Sequence, residues 1–166
     1  MITMLKEFHS ICDVSYDKIM RLYEQSILDY GRERFPHMDE YEQRNQAEQD
    51  LYQYLRYALH NTGAVLCIWE SEGEYKAALR LEQYRDGVLI SGLEAAPAAR
   101  GLGYATALLG AVCAVHRNDV IYSHVDKWNL ASMRVHEKCG FKLYSNSAVY
   151  LDGSASRDAY TLVFMK

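Results

Sequence analysis

The sequence lacks the features that mark membrane, secreted and disordered proteins. No apolar run approaches the roughly 20 residues that a membrane-spanning helix needs, and Lys6 and Glu7 lie where a secretory signal peptide would be apolar. Proline is scarce, at two residues in 166, while 49% of the residues are hydrophobic, a composition typical of a globular chain. We therefore expect a soluble, cytoplasmic protein that folds as one domain over residues 1–166.

Cysteine pairs and excess positive charge are also missing. The four cysteines include no C-x-x-C pair, which favours buried, reduced thiols over disulfides or a zinc site. They are Cys12, Cys67, Cys113 and Cys139. The formal net charge is −4, whereas a basic surface supplies most of the affinity for nucleic acid. We therefore expect no metal and no nucleic acid, and the charge is compatible with a cationic substrate.

Hydrophobic periods that switch between helix and strand predict a mixed α/β chain. The expected strands are residues 3–8, 64–69, 75–82, 88–95, 120–125, 141–150 and 159–166. The expected helices are residues 16–30, capped by Ser15 and ended by Gly31, then 41–60, the stretch after Gly103, and 129–138, closed by Gly140. Residues 31–40 are expected to be a loop, and Asp86-Gly87 a two-residue hairpin turn. Strand 120–125 must run parallel to 88–95, because a helix connects them.

Residues 88–115 carry the pattern on which the functional prediction depends. A strand stops before Pro97, and a turn through Arg100, Gly101 and Gly103 leads into apolar residues at helical spacing. The first amide groups of a helix have no partner within it, so they can bind phosphate where the backbone is accessible. The glycines remove the Cβ atoms that would block the approach, and the arginine adds positive charge. The pattern therefore indicates an anion-binding site.

Three interpretations of this turn remain open. It can be a turn without a ligand, or the start of a nicotinamide dinucleotide site, for which Asp126 after the next strand is suitably placed. Thr106 is a poor third glycine for that fingerprint, which normally lies at the start of its fold. A P-loop is excluded because Gly-Lys-Ser/Thr is missing. The third interpretation rests on a resemblance to a known family.

Two motifs resemble those of the GNAT acetyltransferase superfamily. Residues 93–105 read Leu-Glu-Ala-Ala-Pro-Ala-Ala-Arg-Gly-Leu-Gly-Tyr-Ala and are similar to its acyl-CoA-binding motif, Arg/Gln-x-x-Gly-x-Gly/Ala. Residues 129–141 read Asn-Leu-Ala-Ser-Met-Arg-Val-His-Glu-Lys-Cys-Gly-Phe and are similar to its next motif, in which a tyrosine usually occupies the place of His136. The resemblance implies a GNAT fold: a mixed, mostly antiparallel sheet of about seven strands with about four helices. Strands four and five would form a splayed parallel pair with acyl-CoA between them.

The resemblance also implies which residues bind acetyl-CoA, the acyl donor. They lie on the fourth strand, in the glycine turn and on the helix after the fifth strand: Leu93, Ala95, Arg100, Gly101, Leu102, Gly103, Tyr104, Ala105, Asn129, Ser132 and His136. Backbone groups of the fourth strand would polarise the acetyl carbonyl, which needs no particular side chain.

Two side chains are candidates for proton transfer. Glu94 is the only carboxylate in residues 88–115 and is the candidate general base, with a structural acid as the alternative. His136 shares a helix face with Asn129 and Ser132 and stands where the family's tyrosine protonates the departing thiolate. A structural histidine is the alternative there. A cysteine nucleophile is disfavoured, because this family generally transfers the acyl group directly.

The sequence does not identify the acceptor. By resemblance, the loop at 31–40 and the last two strands shape its site, with the following lining residues: Tyr30, Arg34, His37, Tyr41 and Tyr150. We expect an N-acetyltransferase that acts directly, in a ternary complex, on a primary amine of a small molecule or peptide. A non-catalytic acyl-CoA-binding domain and an NAD(P)-dependent oxidoreductase remain alternatives, and a homodimer is left open.

Overall fold

The computed structural model describes residues 4–166 and contains one large sheet and one small one. The strands are β1 Met4–Phe8, β2 Val65–Ser71, β3 Glu74–Tyr84, β4 Gly87–Ala95, β5 Ile121–Asp126, β6 Lys142–Ser145, β7 Ala148–Val149, β8 Ala155–Ser156 and β9 Ala159–Phe164. Seven of them form a sheet of order β1-β2-β3-β4-β5-β9-β6, and β7 pairs with β8. Only β4 and β5 are parallel neighbours within the described chain. The predicted mixed sheet with one parallel pair is confirmed.

Helices cover both faces of the sheet. They are α1 Tyr16–Leu22, α2 Glu24–Arg34, α3 Glu40–Asn61, α4 Tyr104–Val115 and α5 Leu130–Lys138. Because side chains alternate along a strand, Leu66 and Ile68 of β2 pack with α1 to α3, whereas Cys67 packs with Leu108 and Leu109 of α4. The sheet therefore has an α3 face and an α4 face, and the functional site must be placed relative to both.

The first helical region differs from the prediction. Ser15 does cap α1 by accepting a hydrogen bond from Lys18 N, but α1 ends at Leu22 and α2 begins two residues later. Gly31 does not end the helix, since α2 continues to Arg34. A Cβ at Gly31 would lie 2.9 Å from the carbonyl oxygen of Gln43, so this glycine serves close packing of α2 on α3. Only residues 35–39 of the expected loop lie outside helices.

Two strand predictions are also corrected. The hairpin between β3 and β4 exists, but its turn is Arg85-Asp86, with Arg85 at φ 50°, and Gly87 already belongs to β4. The single strand expected at 141–150 is interrupted after β6. There Ser145 Oγ accepts a hydrogen bond from Ser147 N, a local turn that competes with strand pairing. The expected first strand began at Thr3, which lies outside the described residues.

The cysteines follow the prediction with one exception. Cys67 and Cys113 are buried, Cys139 is partly buried, and all four are free thiols. Cys12, however, is exposed. It lies in a short 3₁₀ turn in which its neighbour Ile11 takes the buried position, so one turn has room for only one core side chain.

Candidate active site

The central feature of the site is the divergence of β4 and β5. The two strands pair only where Val88 to Ile90 meets Ile121 to Ser123, and no pairing joins their later residues. At the divergence β4 also carries an extra residue opposite β3 and forms a bulge, in which Gly92 has a φ of 64°. A Cβ there would lie 2.6 Å from Nη1 of Arg80. The backbone angle favours glycine at this bulge, and a larger residue would also displace the guanidinium group of Arg80.

A cleft of about 990 Å³ opens where the strands separate. Its walls come from α3, β3, β4, β5, α5 and the β7–β8 hairpin. Five of the residues predicted from the sequence line it: Leu93, Asn129, Ser132, His136 and Tyr150. Leu93 of the first motif thus shares one cavity with Asn129, Ser132 and His136 of the second, whereas Ala95 and residues 100–105 do not line it.

The glycine turn stands between β4 and the start of α4. Gly101 and Gly103 have φ values of 74° and 84°, and a Cβ at either would meet no atom within 4 Å. Glycine is therefore favoured here by the backbone angles, and the space beside the turn is open. No side chain caps α4, and Ala107 N makes the helical bond to Gly103 O. The preceding helix amides lack a helical acceptor and can bind an anion, while the side chain of Arg100 is about half exposed.

Glu94 lies on β4 but faces α2 rather than the cleft. Its Oε2 accepts a hydrogen bond from Ser26 Oγ at 2.6 Å, and its Oε1 lies 3.9 Å from Nη2 of Arg100. The side chain is 18% exposed. Burial raises the pKa of this carboxyl, an effect that the serine and the arginine oppose. Glu94 is thus a mostly buried carboxylate that follows the cleft residue Leu93 on β4 but does not itself line the cleft.

His136 is fully enclosed, at 1% exposure. Nδ1 lies 2.7 Å from the backbone oxygen of Ser132, so Nδ1 carries the proton, and Nε2 accepts from Ser123 Oγ at 2.7 Å. Burial lowers the pKa of the imidazole, although the bond to Ser132 opposes this. Phe141 packs edge-on against the ring. With both nitrogens engaged and the ring neutral, the geometry favours the structural alternative, although the ring contributes to the cleft wall.

The residues predicted to line the acceptor site are mostly elsewhere. Tyr30 OH donates to Asp50 Oδ2 at 3.1 Å and lines a separate cavity of about 290 Å³ between α2 and α3. Arg34 ends α2, and His37 and Tyr41 are exposed, but none of these three lines the large cleft. The loop predicted to approach the site is shortened by the extension of α2, which explains the difference.

Other cleft residues were not identified from the sequence. Those with polar or aromatic side chains are Tyr54, Tyr57, Glu82, Ser91, Ser123, His124 and Asp152. Glu82 is 8% exposed, accepts a hydrogen bond from Ser91 Oγ at 2.8 Å, and lies 3.5 Å from Nε of Arg80. Arg80 and Glu82 alternate with leucines along β3, which predicts that they share one face of the sheet. Only the structure shows that Glu82, on that face, lines the cleft.

Residues 4–166 contain neither a metal-binding cluster nor a membrane-spanning helix. No group of three or more His, Cys, Asp or Glu side chains is placed to hold a metal ion. None of the described helices is both long and apolar enough to cross a membrane.

Comparison with known proteins identifies the class. Residues 20–141 match the model of the acetyltransferase (GNAT) family, which covers most of the chain, so the protein belongs to this family of acyltransferases. No curated protein sequence matches it. The mostly antiparallel sheet of residues 4–166 also differs from the doubly wound parallel sheet of a dinucleotide-binding fold.

Solved structures share the fold over nearly the whole chain. The PaiA N-acetyltransferase of Thermoplasma acidophilum, in complex with coenzyme A, superposes with a TM-score of 0.66 at 12% identity, covering 100% of both chains. A ribosomal-protein-alanine N-acetyltransferase from Brucella melitensis gives 0.64 at 16% identity, covering 98% of this chain and 99% of that one. A GNAT-family acetyltransferase from Bacillus cereus gives 0.63 at 17%, covering 100% and 99%. At such low identities the likeness shows the fold alone.

Proposed function

We propose that the protein transfers an acetyl group from acetyl-CoA to a primary amine of a small molecule or peptide. The observations that carry this proposal are the cleft that opens where β4 and β5 diverge and the uncapped glycine turn that leads from the end of β4 into α4. The coenzyme A complex of the PaiA enzyme, which has the same fold, supports the choice of donor.

The described residues fit an acyl-CoA. In this proposal the pyrophosphate binds the turn and the first amides of α4, and the pantetheine arm passes between the diverging strands. The turn set is Arg100, Gly101, Leu102, Gly103, Tyr104 and Ala105, and the cleft set is Leu93, Asn129, Ser132 and His136, with Ala95 at the end of β4 between the two sets. Acetyl-CoA supplies an activated thioester, and the bulged backbone of β4 supplies donors for its carbonyl oxygen.

Deprotonation of the amine is the step for which a side chain is most needed. An amine with a pKa near 10.4 is neutral in only about one molecule in a few thousand at pH 7, so removing its proton costs roughly 4–5 kcal/mol. We assign Glu94 as the general base, acting directly or through a water molecule. Its raised pKa increases its basicity, and Ser26 holds its carboxylate in place.

Protonation of the departing thiolate is a smaller problem. A thiol with a pKa near 8.5 lies only about 1.5 units above neutral pH, so an acid contributes at most ~2 kcal/mol. His136 is buried, neutral and bonded through both nitrogens. We therefore assign it to holding α5 against β5, with the thiolate taking its proton from solvent.

An acceptor screen tests this function. The protein is incubated with acetyl-CoA and a panel of amines, and both thiol release and the acetylated product are measured. We expect amine-dependent thiol release, matched by product, with intersecting initial-rate lines that indicate a ternary complex. Acetyl-CoA binding without product from any amine would instead support the non-catalytic acyl-CoA-binding alternative.

A further inference from the structure

The two faces of the sheet divide the cleft into two halves. Asn129 and Ser132 belong to α5 and lie on the α4 face, where the donor is proposed to bind. On the α3 face, the opposite half is lined by Tyr54 and Tyr57 of α3 and by Glu82 of β3. An acceptor that meets the thioester at the bulge of β4 therefore approaches through this second half, which is called the acceptor half below.

The β7–β8 hairpin closes the acceptor half. Tyr84 OH donates to Val149 O at 2.6 Å and so anchors the hairpin to β3. Tyr150 then packs edge-on against His124 of β5, with ring centroids 5.1 Å apart. The hairpin continues through Asp152, which also lines the cleft. The interruption of the predicted last strand pair thus builds one wall of the acceptor site.

The charged side chains in the acceptor half are acidic. Asp126 follows His124 by two residues, so it lies on the same face of β5. Asp152 and Glu82 complete the set, and no lysine or arginine of residues 4–166 lines the cleft. Neither aspartate has an ion-pair partner in this part of the chain. Hydrogen bonds from Ser154 lower the pKa of Asp152, which is therefore ionised at neutral pH.

The neighbouring basic groups leave the net charge of this half negative. Arg80 is mostly buried and forms an ion pair with Glu82, which offsets that carboxylate, and its Nη2 donates to Tyr54 OH at 3.3 Å. The uncompensated negative charge is therefore that of Asp126 and Asp152. Arg85 stacks on tyrosine rings outside the cleft. Burial and this arginine lower the pKa of His124, so its ring is neutral at pH 7. A carboxylate on the acceptor would find no cation in this half of the cleft.

The acceptor half also contains accessible tyrosine rings. Tyr57 is 60% exposed and Tyr150 is 37% exposed, and both line the cleft. The faces of such rings attract cations, an interaction that adds to that of nearby carboxylates. Two exposed aspartates without an ion pair among the described residues and accessible tyrosine rings around one cavity form a site for an organic cation.

We propose that the acceptor is a small diamine that reacts through one amino group while its second, protonated amino group binds at Asp126, Asp152 and the rings of Tyr57 and Tyr150. This inference rests on the proposed acetyl transfer and names its substrate class. The diamine enters from the α3 face, and its distal charge points the free amine towards the bulge of β4.

Acceptors that differ only in the distal group test the inference. Butylamine, tetramethylenediamine and γ-aminobutyrate share a chain length but end in a methyl group, an ammonium group and a carboxylate. We expect kcat/KM for the diamine to exceed that for butylamine by about tenfold, beyond a statistical factor of about two for its two amines. γ-Aminobutyrate is expected to react more slowly than butylamine. Added salt should reduce the advantage of the diamine, because the aspartates are exposed.

Single variants identify the residues that bind the distal charge. Asp152→Asn keeps an acceptor oxygen for the Ser154 bonds but removes the negative charge. Asp126→Asn removes the negative charge at the end of β5. Each should lower the diamine-to-butylamine ratio by about fivefold. Asp119→Asn is the matched control, since Asp119 lies outside the cleft and pairs with His116. This control should leave the ratio unchanged.

The outcomes separate the two proposals. Equal or faster turnover of butylamine, γ-aminobutyrate or a lysine-containing peptide relative to the diamine would overturn the diamine inference and leave acetyl transfer intact. A diamine preference that survives both aspartate variants would overturn the assigned binding site. If no amine is acetylated and acetyl-CoA does not bind, both proposals fail.

Discussion

Removing the hydroxyl of Ser26 should change the pH dependence of the reaction. Ser26 Oγ donates to Glu94 Oε2 at 2.6 Å and stabilises the ionised form of the carboxyl. A hydrogen bond to a charged group contributes about 1.5–3 kcal/mol. Because Glu94 is 18% exposed, water will replace part of that bond in Ser26→Ala. A net loss of about 1.4 kcal/mol corresponds to one pH unit.

The assay is the pH profile of kcat/KM with acetyl-CoA and an accepted amine. In Ser26→Ala the acidic limb should move upward by about one pH unit, because the pKa of Glu94 rises further once its donor is gone. Activity on the plateau above that limb should stay close to wild type. Ser10→Ala is a suitable control, since its hydroxyl bonds to Cys12 N and His60 Nε2 and does not line the cleft.

Glu94→Gln provides the second arm of this test. It should lower activity across the profile and remove the acidic limb. Burial raises the folded-state pKa of Glu94, so its contribution to stability is fully present below the unfolded pKa and is lost as pH rises through the folded pKa. At pH 7 the variant should therefore be at least as stable as wild type. An unmoved limb in Ser26→Ala, or a limb that persists in Glu94→Gln, would refute Glu94 as the base.

Three further predictions concern the donor site and the scaffold. Arg100→Ala should weaken acetyl-CoA binding by about tenfold with an unchanged melting temperature, as measured by calorimetry; unchanged affinity would refute the placement of the pyrophosphate. Ser123→Ala leaves Nε2 of buried His136 without a partner and should cost about 1–3 kcal/mol of unfolding free energy in urea titration while activity is retained; a stable but inactive variant would contradict the structural role. Gly87→Ala would bring a methyl group against the backbone oxygen of Val120 and should lower the melting temperature by several degrees. A Cβ at Gly110 in α4 meets no atom within 4 Å, so Gly110→Ala should not lower the melting temperature.

The sequence predicts the fold where local chemistry and tertiary packing agree. The motifs at residues 93–105 and 129–141 predict the turn, the helix that Asn129 caps and the parallel strand pair, and the structure confirms all three. The prediction that Gly31 ends a helix is wrong, because this glycine lies against the backbone of Gln43 in α3. No local sequence pattern contains that contact between helices. Glycine at that position allows two helices to approach closely instead of ending one.

The proposed donor side of the candidate site leaves a stronger pattern in the sequence than the acceptor side, where Tyr150 is the one predicted lining residue that the structure places in the cleft. Backbone amides at a helix start leave a compact glycine signature, so the turn was found from its sequence. The acceptor half combines Tyr57, Glu82 and Asp152 from separate elements, and only strand order brings them together. The same limitation applies to His136: its helix face was predicted, but its burial depends on Ser123 of the neighbouring strand.

Thermal unfolding with added cofactors tests the central claim most directly. The protein is melted alone and with acetyl-CoA, coenzyme A, NAD⁺ or NADPH. A ligand at 100 times its Kd adds about 2.7 kcal/mol of stability, which corresponds to roughly 5–11 °C for a chain of this size. Stabilisation by acetyl-CoA and coenzyme A but not by the nicotinamide dinucleotides is the predicted result. Stabilisation by the dinucleotides alone, or by none of the four, would contradict the account.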